Sequence, residues 1–156
     1  VQFVGIGTAI YFLTRSILQM PIGLLTDKIK RDRDEILILS IGVILMGLPY
    51  VFYPQITEPW HYYVLQFIFG MGVSLNLTSW RKLFATNVDK GREGFQYAAY
   101  ETAISIATAL LSTLIGSIAS LGDVYFDLVM ISAGVVMMLG SIWIILIYKV
   151  EKRKTQ

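Results

Sequence analysis

The chain has 156 residues, of which 55% are hydrophobic and 15% are charged, and its mean hydropathy is +0.63. Soluble domains have about 25% charged residues. Here the charges fall in short clusters between long apolar stretches, which excludes an ordinary water-soluble fold. With no cysteine and a single histidine, the sequence predicts no catalytic residues, no metal site and no cofactor. The basic residues are divided among separate clusters, which argues against a nucleic-acid partner.

Five stretches are long enough to cross a lipid bilayer, which requires about 20 mostly apolar residues. Backbone groups in lipid must hydrogen-bond within their own segment, so each stretch is predicted to be a helix. The sequence therefore predicts an all-α polytopic membrane helix bundle, with residues 1–156 forming a single transmembrane unit. The predicted helices cover residues 2–25, 36–53, 62–85, 95–121 and 126–148.

The basic residues lie at alternate ends of these helices, and such residues are enriched in cytoplasmic loops. The second and fourth connections have no Lys or Arg. This pattern predicts a multi-pass protein of the plasma (inner) membrane with its N-terminus outside and its C-terminus in the cytoplasm. The basic clusters are Lys28, Lys30, Arg31 and Arg33; Arg81, Lys82, Lys90 and Arg92; and Lys149, Lys152, Arg153 and Lys154.

Three predicted helices have a polar face at helical spacing, and the other two do not. We expect the first, third and fourth helices to line a polar region, and the second and fifth to lie outside them, largely in lipid. Close packing through small residues is the alternative interpretation of these faces. The candidate residues of a solute or ion pathway are Arg15, Gln19, Gln66, Ser74, Tyr97, Glu101 and Ser105.

Arg15 and Glu101 are the charged residues on these faces. A charge near the middle of a membrane costs about 2.5–3.5 kcal/mol on insertion scales. Two interpretations stay open for each residue. They either form a structural ion pair with each other or take part in transport.

The end of the first predicted helix carries a short motif, Gly23-Leu24-Leu25-Thr26-Asp27-Lys28-Ile29-Lys30-Arg31. It resembles the loop signature of the major facilitator superfamily, G-x-L-[A/S]-D-[R/K]-x-G-[R/K]-[R/K]. Lys30 stands in place of the second glycine. The resemblance implies a cytoplasmic loop after the second helix of a half-transporter, and we expect Asp27 to contact Arg81 or Lys82. The matching residues are Gly23, Leu25, Asp27, Lys28 and Arg31.

Members of that family have two halves of six helices, in which the third and sixth helices are peripheral. If the first predicted helix is the second of a half, the second and fifth predicted helices correspond to the peripheral third and sixth. Gln66 stands where the first half often has an arginine, so the chain resembles the eighth to twelfth helices of the family. The missing helices of the same transporter are then partners, along with the bilayer. The resemblance implies secondary active transport of a small solute by alternating access, with protons as candidate coupling ions and no enzymatic activity. A small non-transporting membrane scaffold or subunit is the alternative.

Overall fold

The structure of the chain, a computed structural model, describes residues 2–29 and 32–154, and their side chains except those of 32–33 and 147–154. Its described part is a helix bundle without strands, which confirms the predicted all-α fold of five helices. A 3-10 turn, Tyr53–Gln55, follows the second helix. The helices are α1 (Gln2–Lys28), α2 (Asp32–Phe52), α3 (Pro59–Asn87), α4 (Glu93–Ala119) and α5 (Asp123–Lys154).

Four segments are long and apolar enough to cross a membrane: Gln2–Lys28, Asp34–Gln55, Glu93–Ala119 and Asp123–Leu146. The exception is α3, which has 29 residues but carries more polar side chains. It packs between α1 and α2, and several of its polar groups are buried against them. A helix enclosed by protein in this way needs less apolar surface than one facing lipid.

Glycine residues allow α2 to approach its neighbours at backbone contact. A Cβ atom added at Gly42 would lie 2.9 Å from the carbonyl oxygen of Gly72 on α3. One added at Gly47 would lie 2.6 Å from the carbonyl oxygen of Gly134 on α5. Neither position has room for a side chain, so α2 is held by direct backbone contact on two sides.

The contacts also fix the direction of the helices. Along α1, Thr14 lies beside Gly70 and Thr26 beside Lys82, so α1 and α3 run parallel. Between α2 and α3 the order is reversed, because Gly42 lies beside Gly72 whereas Glu35 lies beside Lys82. The ends of α1 and α3 and the start of α2 therefore meet at one end of the bundle.

The prediction that the second and fifth helices are the least covered is wrong. α2 packs on both α3 and α5, and 28% of an 18-residue apolar stretch of it is buried, whereas none of the corresponding stretch of α4 is buried (0%). The corresponding stretches of α1 and α5 are equally buried, at 11%. Side-chain polarity indicates which environment suits a helix face. It gives no indication of the close contacts at Gly42 and Gly47, because glycine is not polar and yet allows two backbones to touch.

Candidate functional site

The Lys82 ammonium group joins three helices at the end of the bundle where α1 and α3 finish. Its Nζ atom donates hydrogen bonds to the carbonyl oxygens of Thr26 (2.6 Å) and Ile29 (3.2 Å). It also forms an ion pair with Glu35 near the start of α2. An ammonium group has three donors, so these contacts satisfy all of them. We name Lys82, Glu35, Thr26 and Ile29 the Lys82 junction.

The local structure of α1 prepares this site. The Thr26 hydroxyl donates to the carbonyl oxygen of Gly23 at 2.9 Å, and the Thr26 side chain is 1% exposed. The last carbonyl groups of a helix have no partners within the helix and carry partial negative charge. A cation at this position satisfies them and is stabilised by the helix dipole. Lys82 therefore closes the end of α1 as well as pairing with Glu35.

Glu35, not Asp27, is the acidic partner of Lys82. Asp27 is exposed and forms no ion pair with Arg81 or Lys82, so the expected contact is absent from this structure. Neighbouring residues on a helix point about 100° apart. When Thr26 faces α3, the Asp27 side chain consequently points away from it.

The spacing of Glu35 from Leu39 and Gly42 in the sequence is a signal that Glu35 is buried. Glu35, Leu39 and Gly42 are all buried, and their spacing of four and three residues places them on one face of α2. Glu35 thus belongs to the buried face of the helix and not to the charged loop before it. The whole residue is only 5% exposed.

The other motif residues are less enclosed. Lys28 and Arg81 are exposed, and Gly23 is half-buried. A Cβ atom at Gly23 would lie 3.8 Å from a methyl carbon of Thr78, an ordinary contact. Arg31 lies outside the described residues.

Two of the candidate pathway residues take part in helix contacts. The Ser74 side chain is fully buried, and the carbonyl oxygens of Gly70 (2.8 Å) and Arg15 (3.3 Å) share its one hydroxyl hydrogen. The Gln66 amide donates to the Tyr53 hydroxyl at 2.8 Å. Both side chains therefore connect α3 to a neighbouring segment.

Aromatic rings form a cluster toward the other end of the bundle from Lys82, and Gln66 contacts it through Tyr53. The Phe69 ring lies 5.5 Å from that of Tyr11 and 5.8 Å from that of Tyr50, centroid to centroid. The Tyr53 and Tyr62 rings are 6.1 Å apart. We name Tyr11, Tyr50, Tyr53, Tyr62 and Phe69 the tyrosine cluster. Sequence reasoning missed it because its rings come from different segments, and the spacing of residues within one helix does not connect them. Together the rings join α1, α2 and α3.

Arg15 and Gln19 are half-buried on α1, between the tyrosine cluster and the Lys82 junction. The Arg15 Nη1 atom donates a hydrogen bond to the Tyr11 hydroxyl oxygen, with 3.4 Å between the nitrogen and the oxygen. Among the described side chains, Lys82 and Glu35 form the sole ion pair, so Arg15 is not paired with Glu101. The interpretation of these two residues as a structural ion pair does not hold in this structure.

The remaining pathway candidates, Tyr97, Glu101 and Ser105, lie on α4 and are exposed. The start of α4 is attached to α3 by aromatic contacts, with Tyr100 stacked on Trp80 at 4.6 Å between centroids. Beyond this contact α4 touches mainly α5. The structure therefore does not bring the α4 candidates together with those of α1 and α3. No three His, Asp or Glu side chains in the described part form a group that could hold a metal ion.

Comparison with known proteins gives one family. The family model described as Major Facilitator Superfamily matches residues 1–156. No curated protein and no solved structure matches the chain. The match covers all five helices, including the four that are apolar and long enough to cross a membrane. The chain therefore belongs to the major facilitator superfamily, a family of multi-pass membrane transporters.

Proposed function

We propose that this chain is part of a secondary active transporter that moves a small solute across the plasma membrane by alternating access. The observation that carries the proposal is the open polar face of α4. Tyr97, Glu101 and Ser105 follow each other at a spacing of four residues, and all three are exposed. Beyond the first turn of α4, Glu101 is the one charged residue of this helix. Glu101 has no hydrogen-bond or ion-pair partner among the described residues.

The energetic cost of such a face in lipid supports a pathway. A carboxylate in hydrocarbon costs about 2.5–3.5 kcal/mol on insertion scales, and packing against α3 or α5 does not cover Glu101. Polar groups of this kind usually face a water-filled cavity or another part of the protein. In a transporter, a cavity that holds water also admits a polar solute.

The Lys82 junction is a second observation that supports alternating access. It ties the end of α1, the start of α2 and the end of α3 into one unit. Transport by rocking requires helices that move together around a central site. Arg15 and Gln19, half-buried on this unit, are the residues that we propose to face the pathway opposite α4.

The arrangement of the ends also agrees with the proposed orientation. Lys28, Arg81 and Lys82 meet at one end of the bundle, and the opposite connection between α2 and α3 contains no Lys or Arg. Because basic residues are enriched on the cytoplasmic side, we propose that the former end lies in the cytoplasm and the N-terminus outside. We propose further that the five helices correspond to the eighth to twelfth of the family.

Uptake of a solute panel by the full-length protein in proteoliposomes, with and without an inward proton gradient, tests the proposal. We expect at least one solute to accumulate above the level in protein-free vesicles, and Glu101→Gln to abolish the part driven by protons. A protein that moves no solute in either direction, while folded by circular dichroism, would favour a non-transporting membrane scaffold instead.

A further inference from the structure

A pocket of about 240 Å³ opens where α2 ends and α3 begins, at the opposite end of these helices from Lys82. Most of its walls are apolar and include Phe52, Trp60 and Val64. Its two polar residues are Gln55 and His61. An apolar pocket with few polar groups is the usual form of a site for an apolar ligand.

His61, which lines this pocket, has one hydrogen-bond donor available. Its Nδ1 atom lies 3.4 Å from the backbone nitrogen of Thr57 and 3.3 Å from that of Glu58, in a capping box at the start of α3. Backbone N–H groups can only donate, so Nδ1 is an acceptor. In a neutral imidazole the proton then lies on Nε2. Nε2 has no partner among the described residues, which leaves one N–H group for a ligand.

The surface beside the pocket is apolar and exposed. On α2, Ile41, Ile44 and Phe52 are exposed large apolar residues, and on α3 so are Val64 and Phe67. The helix segment from Phe52 back to Ile41 is about 16 Å long at 1.5 Å per residue. Half of the hydrocarbon core of a bilayer is about 15 Å thick. An acyl chain that starts at the pocket therefore finds an apolar surface through one whole leaflet.

The charges near the pocket select the class of lipid. Residues 36–80 contain no Lys or Arg, and Glu58 is an exposed acid at the pocket end of α3. An anionic headgroup would find no cation here and would be repelled by Glu58. A zwitterionic headgroup, which carries its own cation, has no such penalty.

From these observations we propose that the pocket binds one acyl chain of a zwitterionic diacyl glycerophospholipid, whose ester carbonyl accepts a hydrogen bond from His61 Nε2. The ester groups of a phospholipid lie at the boundary of the hydrocarbon core, and Trp60 and His61 lie at the corresponding end of α3. The inference rests on membership of a membrane family and not on the proposed transport activity.

Trp60 provides the probe, because it lines the pocket. In a chain with Trp80→Phe and Trp143→Phe, Trp60 is the remaining tryptophan. This chain is placed in vesicles of ether-linked phosphatidylcholine that contain a small fraction of brominated phosphatidylcholine. The brominated lipid is ester-linked in one series and ether-linked in the other. Bromine quenches tryptophan on contact, so the ratio of quenching between the two series measures preference for an ester carbonyl.

We expect a ratio of about 2–10, the selectivity that one additional hydrogen bond gives. His61→Asn keeps an acceptor near the Nδ1 position and removes the Nε2 donor, so its ratio should fall to that of random mixing. Val64→Phe fills the pocket and should do the same. Val136→Phe, a matched change at an exposed position of α5, should keep the original ratio. Circular dichroism checks that each variant keeps its helix content.

Equal quenching by ester-linked and ether-linked lipid in the parent chain would overturn the proposal. So would an unchanged ratio in Val64→Phe, because the preferred lipid would then lie outside the pocket. A ratio that falls in Val64→Phe and stays high in His61→Asn would overturn the assignment of the ester carbonyl to His61. Because no solute is transported in this experiment, its failure is distinct from failure of the proposed function.

Discussion

Lys82 and Glu35 form an ion pair in which the carboxylate side is almost fully enclosed: the Glu35 side chain is 6% exposed and that of Lys82 is 25% exposed. Two backbone carbonyl groups of α1 and the connection after it share the same ammonium group. The pair therefore does more than neutralise two charges. It holds α3 in a fixed position relative to both α1 and α2.

Replacing Lys82 should destabilise the bundle. Lys82→Met leaves Glu35 buried without a cation, which should cost about 3 kcal/mol, the lower part of the range for breaking buried pairs. The measurement is chemical unfolding in mixed micelles. Arg81→Met, at the exposed neighbouring position, is the matched control and should have little effect. The double variant Lys82→Met with Glu35→Gln should recover part of the loss, and an absence of recovery would show that the pair itself contributes little.

The backbone contact between α2 and α5 should not tolerate a methyl group. Gly134→Ala would place its Cβ 2.6 Å from the carbonyl oxygen of Gly47, and neither backbone can move without disturbing the other contacts of α2. We expect a loss of about 1–3 kcal/mol, as for other overpacked sites. Gly140→Ala, on the same helix with nothing within 4 Å, is the control. The comparison is made by thermal unfolding, and equal melting of the two variants would contradict the contact.

Asp27→Asn should separate stability from transport. Because Asp27 is exposed and unpaired with Arg81 and Lys82 in this structure, its replacement should change the free energy of unfolding by less than about 0.5 kcal/mol. We still expect transport by the full-length protein to be impaired, as the loop motif implies. Uptake and unfolding are measured on the same preparation. Normal uptake would mean that Asp27 has no role in any conformation of the transporter.

Glu101→Gln tests proton coupling. If Glu101 carries the proton, the full-length variant should lose accumulation driven by a proton gradient and keep downhill exchange of solute. Since Arg15 is not paired with Glu101 here, adding Arg15→Gln should not restore what Glu101→Gln removes. Radiolabelled solute exchange in proteoliposomes distinguishes these results. Recovery by the second substitution would instead reveal a pairing in another conformation.

Much of the fold could be predicted because membrane helices are defined by the length of their apolar segments. α4 begins at Glu93 and ends at Ala119, within two residues of the prediction. α3 begins three residues early, at Pro59, since proline at the first helical position and the Glu58 cap extend it. These local signals lie outside the apolar segment, so hydropathy alone does not include them.

The partners of individual side chains were harder to predict. The choice between Asp27 and Glu35 for Lys82 depends on the rotation of two helices, and one residue of uncertainty turns a side chain by about 100°. The position of α2 depends on Gly42 and Gly47, whose missing side chains give no polar signal. The role of Glu101 in a pathway stays a prediction, because it rests on a face that no described contact covers.

The glycine contacts of α2 also determine how the protein responds to bilayer thickness. Helices separated by side chains can slide past each other when their length does not match that of the membrane. At Gly42 and Gly47, a shift of one residue would push a side chain onto a neighbouring carbonyl group. We therefore expect α2, α3 and α5 to tilt together, without sliding past each other, when the bilayer becomes thicker or thinner.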